Sequence, residues 1–205
     1  MTLKKHVTCF DLGDVLVHLR FGRCLQQLCA LSGMDLAQAG DAARLFMGER
    51  GLFYNAGKMS PRDYLLELAQ QFGIDPSRYD EIQAAWCSIF DLWPEMMALA
   101  QDCIDAGHEV WLLSNTDPLH FELLRPQMPV LSQMHGLHLS YEIGYVKPDP
   151  QFYLHFLQRS GHAAQDCLFL DDREENVAAA RAVGIDAHLF VGEEAAVRRL
   201  LLPSS

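Results

Sequence analysis

The sequence predicts an α/β fold, in which a doubly wound parallel sheet is interrupted by one block of inserted helices. Short apolar runs alternate with helical patterns along most of the 205-residue chain. Uninterrupted apolar runs are typical of parallel strands that are buried on both faces. Between residues 18 and 90 the alternation stops, and helical patterns follow one another. We therefore predict a single sheet with a helical insertion after its first strand.

Five apolar runs are the predicted strands, and polar residues follow four of them. The runs cover residues 7–10, 110–113, 137–139, 167–170 and 187–191. In order, the first four lead into Asp11, Ser114–Asn115, Lys147 and Asp171–Asp172. Because the carboxyl ends of parallel strands meet at one edge of the sheet, where α/β proteins bind ligands, we expect these side chains to converge.

The predicted helices divide into a core set and an inserted set. The core helices cover residues 94–106, 149–160, 174–183 and 193–202, and the first three end before a glycine, a common C-terminal cap. The inserted helices cover residues 21–31, 36–46, 62–72 and about 80–90. Ser60 and Pro61 mark the start of the third one. We assign residues 1–17 and 94–205 to a core domain and residues 18–93 to an inserted helical cap.

Composition excludes several classes of protein. The net charge is −11, from 16 Lys and Arg against 27 Asp and Glu, and disfavours binding to nucleic acid or to an anionic membrane. No apolar run approaches the ~20 residues that span a bilayer, and no signal peptide is recognisable. The six cysteines lack CxxC spacing and suit a reducing compartment. We expect a cytoplasmic protein, monomeric or homodimeric, with no nucleic-acid or membrane partner.

The polar clusters at the strand ends indicate a functional site only when they are considered together. Alone, each has an ordinary interpretation: a turn carboxylate, a helix cap, or a surface lysine beside a proline. Together they indicate a magnesium and phosphate site. Mg²⁺ prefers oxygen ligands, which Asp11 and Asp172 supply. Lys147 and the N–H groups near Ser114 can neutralise phosphate oxygens.

These motifs resemble, in order, those of haloacid dehalogenase (HAD) superfamily hydrolases with a small helical cap. They read Phe-Asp-Leu-Gly-Asp-Val at residues 10–15, Leu-Leu-Ser-Asn at 112–115, Val-Lys-Pro-Asp-Pro at 146–150 and Phe-Leu-Asp-Asp at 169–172, followed by Asn176. Within the superfamily the chain is most similar to sugar-phosphate phosphatases of the α-D-glucose-1-phosphatase kind and to the phosphatase domain of soluble epoxide hydrolase. The resemblance implies a HAD-like Rossmannoid parallel sheet with an inserted four-helix cap.

The resemblance also implies a Mg²⁺-dependent phosphomonoester hydrolase that forms an aspartyl-phosphate. Asp11 would be the nucleophile, and Asp11, the carbonyl of Gly13 and Asp172 would hold Mg²⁺. The implied phosphate-binding residues are Ser114, Asn115 and Lys147, with Asp171 and Asn176 supporting the metal site. Lys147 would also act in catalysis, by neutralising charge between Asp11 and the phosphate. The expected substrate is a small phosphorylated metabolite, namely a sugar phosphate, under a cap rich in aromatic residues: Phe46, Phe53, Tyr54, Trp86 and Phe90.

Gly13 departs from the pattern of most phosphatases of this superfamily, which carry an Asp there as general acid and base. A missing acid–base group typically costs ~10²–10⁴ in rate. Either the substrate has a good leaving group, or Asp14, His18 or a cap residue supplies the proton. Two alternative functions stay open: a phosphate-binding protein with little turnover, and, less favoured, a metal-independent dehalogenase in which Asp11 attacks carbon.

Overall fold

The computed structural model describes residues 7–202, except for the side chains of Ala42 and residues 44–47. The predicted core-domain ends at residues 1–6 and 203–205, and the side chain of Phe46, lie outside the described part. Residues 7–202 contain seven strands: β1 (Val7–Phe10), β2 (Val17–Leu19), β3 (Phe90–Leu92), β4 (Glu109–Ser114), β5 (Gly136–Leu139), β6 (Cys167–Asp171) and β7 (Asp186–Leu189). Five of them form a parallel sheet in the order β5-β4-β1-β6-β7. The predicted α/β class is confirmed.

The described part of the chain also contains ten α-helices. They are α1 (Phe21–Ser32), α2 (Leu36–Asn55), α3 (Pro61–Phe72), α4 (Tyr79–Trp86), α5 (Pro94–Asp105), α6 (Pro118–Leu124), α7 (Ser140–Ile143), α8 (Pro150–Ser160), α9 (Glu174–Ala182) and α10 (Glu194–Leu201). Short 3₁₀ helices cover Pro76–Arg78, Cys87–Ile89, Arg125–Gln127, Pro129–Ser132 and Ala164–Asp166. Among residues 7–202 no helix combines the length and the apolarity that a bilayer crossing requires.

The sheet is buried between two helical layers because its strands are apolar on both faces. Phe10 of the central strand β1 points to a cluster that includes Met96 and Leu99 of α5. Its neighbour Cys9 points the other way, to a cluster that includes Phe152 and Phe156 of α8. Adjacent residues of one strand therefore support opposite layers, as the period of a strand requires. This packing fixes the carboxyl edge of the sheet, where the polar residues lie.

Helices α1 to α4 form a cap with a hydrophobic core of its own. Tyr64, Leu65 and Leu68 of α3 pack there against Ile82 of α4. Gly57, which follows α2, passes very close to the core. A Cβ atom at this position would lie 2.1 Å from the carbonyl oxygen of Tyr141, and its φ of +67° also favours glycine. The cap is therefore packed directly against the edge of the sheet.

Two predicted cap helices were wrong in extent, and two short strands were not predicted. Helix α2 continues to Asn55 instead of ending near residue 46, although Gly48 and Gly51 lie inside it. Helix α4 ends at Trp86, and the chain then forms a 3₁₀ turn and strand β3 instead of remaining helical to Phe90. Strands β2 and β3 pair antiparallel where the chain enters and leaves the cap. Each has only three residues, which is too short for a recognisable apolar pattern.

Candidate active site

The strand register brings the predicted acids to one edge. Phe10 pairs with Leu112 of β4 on one side and with Leu170 of β6 on the other. The residues that follow, Asp11 and Asp171, are therefore neighbours at the carboxyl end of the sheet. Ser114 ends β4 at the same edge.

Lys147 lies at the centre of these acids. Its Nζ is 2.8 Å from Asp11 Oδ1 and 2.6 Å from Asp171 Oδ2, and it donates to the carbonyl of Leu113 at 2.9 Å. Burial alone would lower the pKa of Lys147, but the carboxylates of Asp11 and Asp171 outweigh burial and hold the pKa above its usual value. The ammonium group is therefore a permanent buried cation next to Asp11.

Asp11 is buried but retains access to a cavity. Its side chain is 11% exposed. Burial raises its pKa, Lys147 lowers it and Asp171 raises it again, to a value of about 7. A carboxyl group with this pKa needs a nearby cation to stay ionised at neutral pH.

The oxygen atoms around Asp11 fit a divalent cation. Asp11, Asp171 and Asp172 each place one carboxylate oxygen within 4.8 Å of the others. Burial, followed by the carboxylates of Asp171 and Asp14, raises the pKa of Asp172. Asn176 donates from Nδ2 to Asp171 at 2.9 Å, whereas its buried Oδ1 has no partner among the described residues. An all-oxygen donor set with crowded carboxylates suits Mg²⁺, which would relieve their repulsion.

Of the predicted phosphate-binding residues, Ser114 and Asn115 differ in whether their side chains are already hydrogen-bonded to the protein. Ser114 Oγ makes no hydrogen bond to a described residue, and Ser114 lines a cavity beside Asn115. The side chain of Asn115 is already used on Lys147. Its Nδ2 donates to the Lys147 carbonyl and its Oδ1 accepts from the Lys147 N–H, both at 2.8 Å. Asn115 therefore positions Lys147 through two hydrogen bonds.

Two neighbouring cavities that share lining residues open at this edge. The first, of about 350 Å³, is lined by Asp11, Gly13, Asp14, Asn115, Lys147, Asp172, Arg173 and Asn176, with Leu19, Phe21, Gly51, Leu52 and Asn55 from residues 18–93. The second, of about 130 Å³, lies between cap and core and shares Gly13, Leu19, Phe21, Gly51, Asn55 and Asn115 with the first. Of the predicted cap aromatics, Trp86 and Phe90 line the second cavity. Phe53 lines neither, and Tyr54 is buried in the core of the cap.

The space beside Gly13 is filled by a neighbouring side chain. A Cβ atom at Gly13 would lie 2.7 Å from Leu19 Cδ1. Of the two nearby proton donors expected from the sequence, Asp14 lines the first cavity and accepts the N–H of Leu19 at 3.0 Å. His18 lines neither cavity and stacks on Trp93, with ring centroids 4.0 Å apart. Asp14 is thus better placed than His18 to supply a proton to a leaving group in the first cavity.

A buried polar cluster between cap and core, which we call the cap–core junction, was not predicted. It consists of Asp117, His120, Tyr54 and Trp86. Asp117 accepts from Tyr54 Oη at 3.1 Å and from Trp86 Nε1 at 3.3 Å, both in the cap. Its Oδ2 also lies 2.8 Å from His120 Nδ1. The cluster ties α2 and α4 to the segment that follows Ser114.

Both ring nitrogens of His120 face acceptors in this junction. Nε2 lies 2.9 Å from the carbonyl oxygen of Trp86, and Nδ1 faces the carboxylate of Asp117. Burial raises the pKa of Asp117, but His120 and the hydrogen bonds outweigh burial and hold it below its usual value. Asp117 and His120 are a buried, closely paired acid and imidazole. The spacing of an Asp N-cap and a His three residues later was the one available signal.

Comparison with known proteins agrees with this geometry. The sequence profile of the haloacid dehalogenase-like hydrolases matches residues 7–184. The chain is 32% identical to a sesquiterpene phosphatase of Aspergillus oryzae over 135 residues, which are 64% of this chain and 67% of that protein. It is 25% identical to the D-ribitol-5-phosphate phosphatase of Bacteroides thetaiotaomicron over 188 residues, covering 86% and 87% of the two chains.

A solved structure shares the fold. It is a HAD family enzyme of Bacteroides thetaiotaomicron in complex with magnesium and inorganic phosphate. The TM-score is 0.79 at 22% identity, and the match covers 92% of this chain and 96% of that one. The profile match extends from β1 to Gly184, two residues beyond α9, and includes every motif residue at the edge of the sheet. The chain therefore belongs to the haloacid dehalogenase-like hydrolases, a family in which its named sequence relatives are phosphatases.

Proposed function

We propose that this hydrolase is a Mg²⁺-dependent phosphomonoesterase that acts on a small phosphorylated metabolite through an aspartyl-phosphate at Asp11. One observation carries the proposal. The carboxylate of Asp11 meets the ammonium of Lys147 at 2.8 Å inside a cavity that also holds Asp172 and Asn176. A carboxylate can attack a phosphate dianion only where cations neutralise both. The acid cluster would hold Mg²⁺ for that purpose, through Asp11, Asp172 and the carbonyl of Gly13.

The reaction has two balanced steps. A carboxylate oxygen of Asp11 attacks phosphorus, and the bond from phosphorus to the leaving-group oxygen breaks. Water then attacks the phosphorus of the acyl phosphate, the bond to Asp11 breaks, and phosphate is released with a proton passed to solvent. Lys147 neutralises oxygen charge in both steps, and Ser114 Oγ is free to donate to the phosphoryl group. Asn115, Asp171 and Asn176 hold these groups in place.

The leaving group departs without help from residue 13, because Gly13 has no side chain and Leu19 fills the adjacent space. Asp14, in the same cavity, can pass a proton through water to the departing oxygen. The expected substrate class is a sugar phosphate, and one of the two named relatives is a D-ribitol-5-phosphate phosphatase. The other is a sesquiterpene phosphatase. Six free cysteines support a reducing cytoplasmic location. We also propose that the enzyme is a monomer or a homodimer.

Hydrolysis of p-nitrophenyl phosphate tests the proposed function. This substrate has an acidic leaving group and does not need the missing general acid. We expect phosphate release with Mg²⁺, none with EDTA, and a loss of at least about 10³-fold in Asp11→Asn. Asp105→Asn, which changes a carboxylate outside both cavities, is the matched control.

The same assay, together with an assay for halide release, distinguishes the proposed function from its two alternatives. Gly13 is the feature that favours a phosphate-binding protein, which would bind phosphate with Mg²⁺ but release none from the ester. A dehalogenase would release halide from a haloacid without metal. Either result would overturn the proposed function.

A further inference from the structure

We propose that the second cavity binds an apolar leaving group, so that the enzyme prefers phosphate monoesters of hydrophobic alcohols over those of polyols. This inference rests on the proposed phosphatase function and names its substrate class. It concerns the cavity of about 130 Å³ between cap and core, whose inner end reaches Ser114 and Asn115.

The walls of this cavity are mainly apolar. The apolar part comes from Leu12 of the core and from Leu19, Phe21, Trp86, Ile89 and Phe90, which lie between residues 18 and 93. Phe21 is 46% exposed at the shared mouth of the two cavities, where burial by a ligand would remove apolar surface from water. A hydrophobic group bound here would therefore gain affinity from contact with these residues.

The polar groups on the wall are largely committed to the protein itself. Asp117, His120 and the indole N–H of Trp86 bond one another in the cap–core junction. Both ends of the Asn115 amide bond Lys147. A hydroxyl group placed against them would find few open donors or acceptors, and an unpaired buried hydroxyl is unfavourable.

Few side chains remain for a hydroxylated ligand. Tyr64 presents an aromatic ring that stacks on Tyr54, with centroids 4.1 Å apart. Ser114 Oγ is assigned to the phosphoryl group in the proposed reaction, so Asn55 and Thr116 are the further side chains that could hydrogen-bond a leaving group. Two such side chains match one or two hydroxyl groups and fall short of the full set of a polyol.

An apolar extension lies behind the same walls. Phe21 and Trp86 also line a third cavity of about 130 Å³ inside the cap. Its other described lining residues are apolar or small: Gly22, Cys24, Leu25, Leu28, Ala43, Leu68 and Phe72. Movement of the two aromatic rings would join the cavities and admit a longer hydrocarbon chain.

The test compares n-hexyl phosphate with ribitol 5-phosphate on the Mg²⁺-loaded enzyme, with release of phosphate as the readout. Both are monoesters of primary alcohols, and the hydroxyl groups of ribitol make it the better leaving group. A preference for hexyl phosphate therefore cannot come from leaving-group acidity. We expect kcat/KM to be at least roughly tenfold higher for hexyl phosphate, with a rise of up to about fourfold per methylene group from butyl to hexyl phosphate.

A pair of variants localises the effect. Phe21→Ser should reduce the ratio of the two kcat/KM values at least roughly fivefold, because it removes part of the apolar wall. Phe53→Ser changes a similarly exposed aromatic residue of the cap that lines neither cavity, and it should keep the ratio of the unchanged enzyme.

Two results would overturn the inference: equal or higher kcat/KM for ribitol 5-phosphate or glucose 1-phosphate, or no dependence on alkyl chain length. Acetyl phosphate, which needs neither a leaving-group cavity nor a general acid, reports on the proposed function separately. If acetyl phosphate is not hydrolysed, calorimetry that compares the affinities for hexylphosphonate and methylphosphonate still tests the apolar subsite. Tighter binding of the hexyl compound supports the apolar subsite, and equal binding contradicts it.

Discussion

Lys147 balances the charge of the candidate active site. It is 2% exposed and contacts the carboxylates of Asp11 and Asp171 at 2.8 and 2.6 Å. Removing one partner of a buried ion pair leaves uncompensated charge, which typically costs several kcal/mol. The free energy of unfolding and the affinity for a divalent cation should therefore both depend on this residue.

We predict that Lys147→Met lowers the free energy of unfolding by ~3 kcal/mol in EDTA at mildly alkaline pH. Excess Mg²⁺ should restore more stability to this variant than to the unchanged protein, because a bound cation would replace the missing ammonium group. Urea unfolding in the two buffers measures both effects, and Lys58→Met, at an exposed lysine, is the control. A variant as stable as the unchanged protein in EDTA would be inconsistent with this account.

The sequence predicted the acids, the lysine and Ser114 because each follows a strand, and parallel strands end at one edge. It could not predict that Leu19 fills the space beside Gly13, because that contact depends on the path of a three-residue strand. It also could not show that the amide of Asn115, which lines both cavities, makes two hydrogen bonds to the backbone of Lys147. Strand ends are local properties of the sequence, whereas these contacts are tertiary.

At the scale of elements, the cap–core junction connects helices α2 and α4 to the segment after β4. Asp117 is 1% exposed and receives hydrogen bonds from Tyr54 and Trp86. Since this segment also carries Ser114 and Asn115, the junction links the cap to the end of the site where we propose that phosphate binds.

Tyr54→Phe and Asp117→Asn should not have additive effects. We expect each to lower the free energy of unfolding by ~1–2 kcal/mol and to raise KM more than it lowers kcat, because the cap loses its bond to the core. The double variant should show a coupling of at least ~1 kcal/mol in a double-mutant cycle. Tyr145→Phe, at a tyrosine that is 38% exposed and outside the junction, is the control. Strict additivity would mean that the two residues do not act together.

Elements of the cap were harder to predict than those of the core. The buried strands are continuous apolar runs, and the core helices α5, α8 and α9 end shortly before glycines, so their positions could be predicted. The core helices α6 and α7 carry no such signal and were not predicted. Helix α2 passes through Gly48 and Gly51, residues that weaken a helix, and it is held by packing against α1 and α3. Strands β2 and β3 are defined only by their pairing with each other. Tertiary contacts decide both features.

At the scale of the whole molecule, His138 couples stability to pH. It is fully buried in β5, and its Nε2 bonds the carbonyl of Phe152 at 3.0 Å. Burial lowers its pKa from 6.5 to about 4. Between pH 4 and pH 6.5, His138 therefore binds a proton in the unfolded chain but remains neutral in the folded chain. The neutral side chain contributes stability above pH 6.5, and that contribution is lost as the pH falls toward 4.

We predict that His138→Gln, which keeps a donor for the Phe152 carbonyl, loses less stability on acidification than the unchanged protein. The difference should be about 2 kcal/mol near pH 5 relative to neutral pH, from the shift in the pKa of His138. Urea unfolding at the two pH values measures it. Equal losses in both proteins would show that His138 does not carry this pH dependence.

The central claim is that Asp11 accepts the phosphoryl group, and trapping that intermediate tests it most directly. The Mg²⁺-loaded enzyme is mixed with acetyl phosphate, quenched in acid within one turnover, digested and analysed by mass spectrometry. We predict a phosphoryl group on the peptide that contains residue 11, sensitive to hydroxylamine and missing from Asp11→Asn. Release of phosphate with the label on another residue, or with no acyl phosphate at any time before completion, would contradict the account.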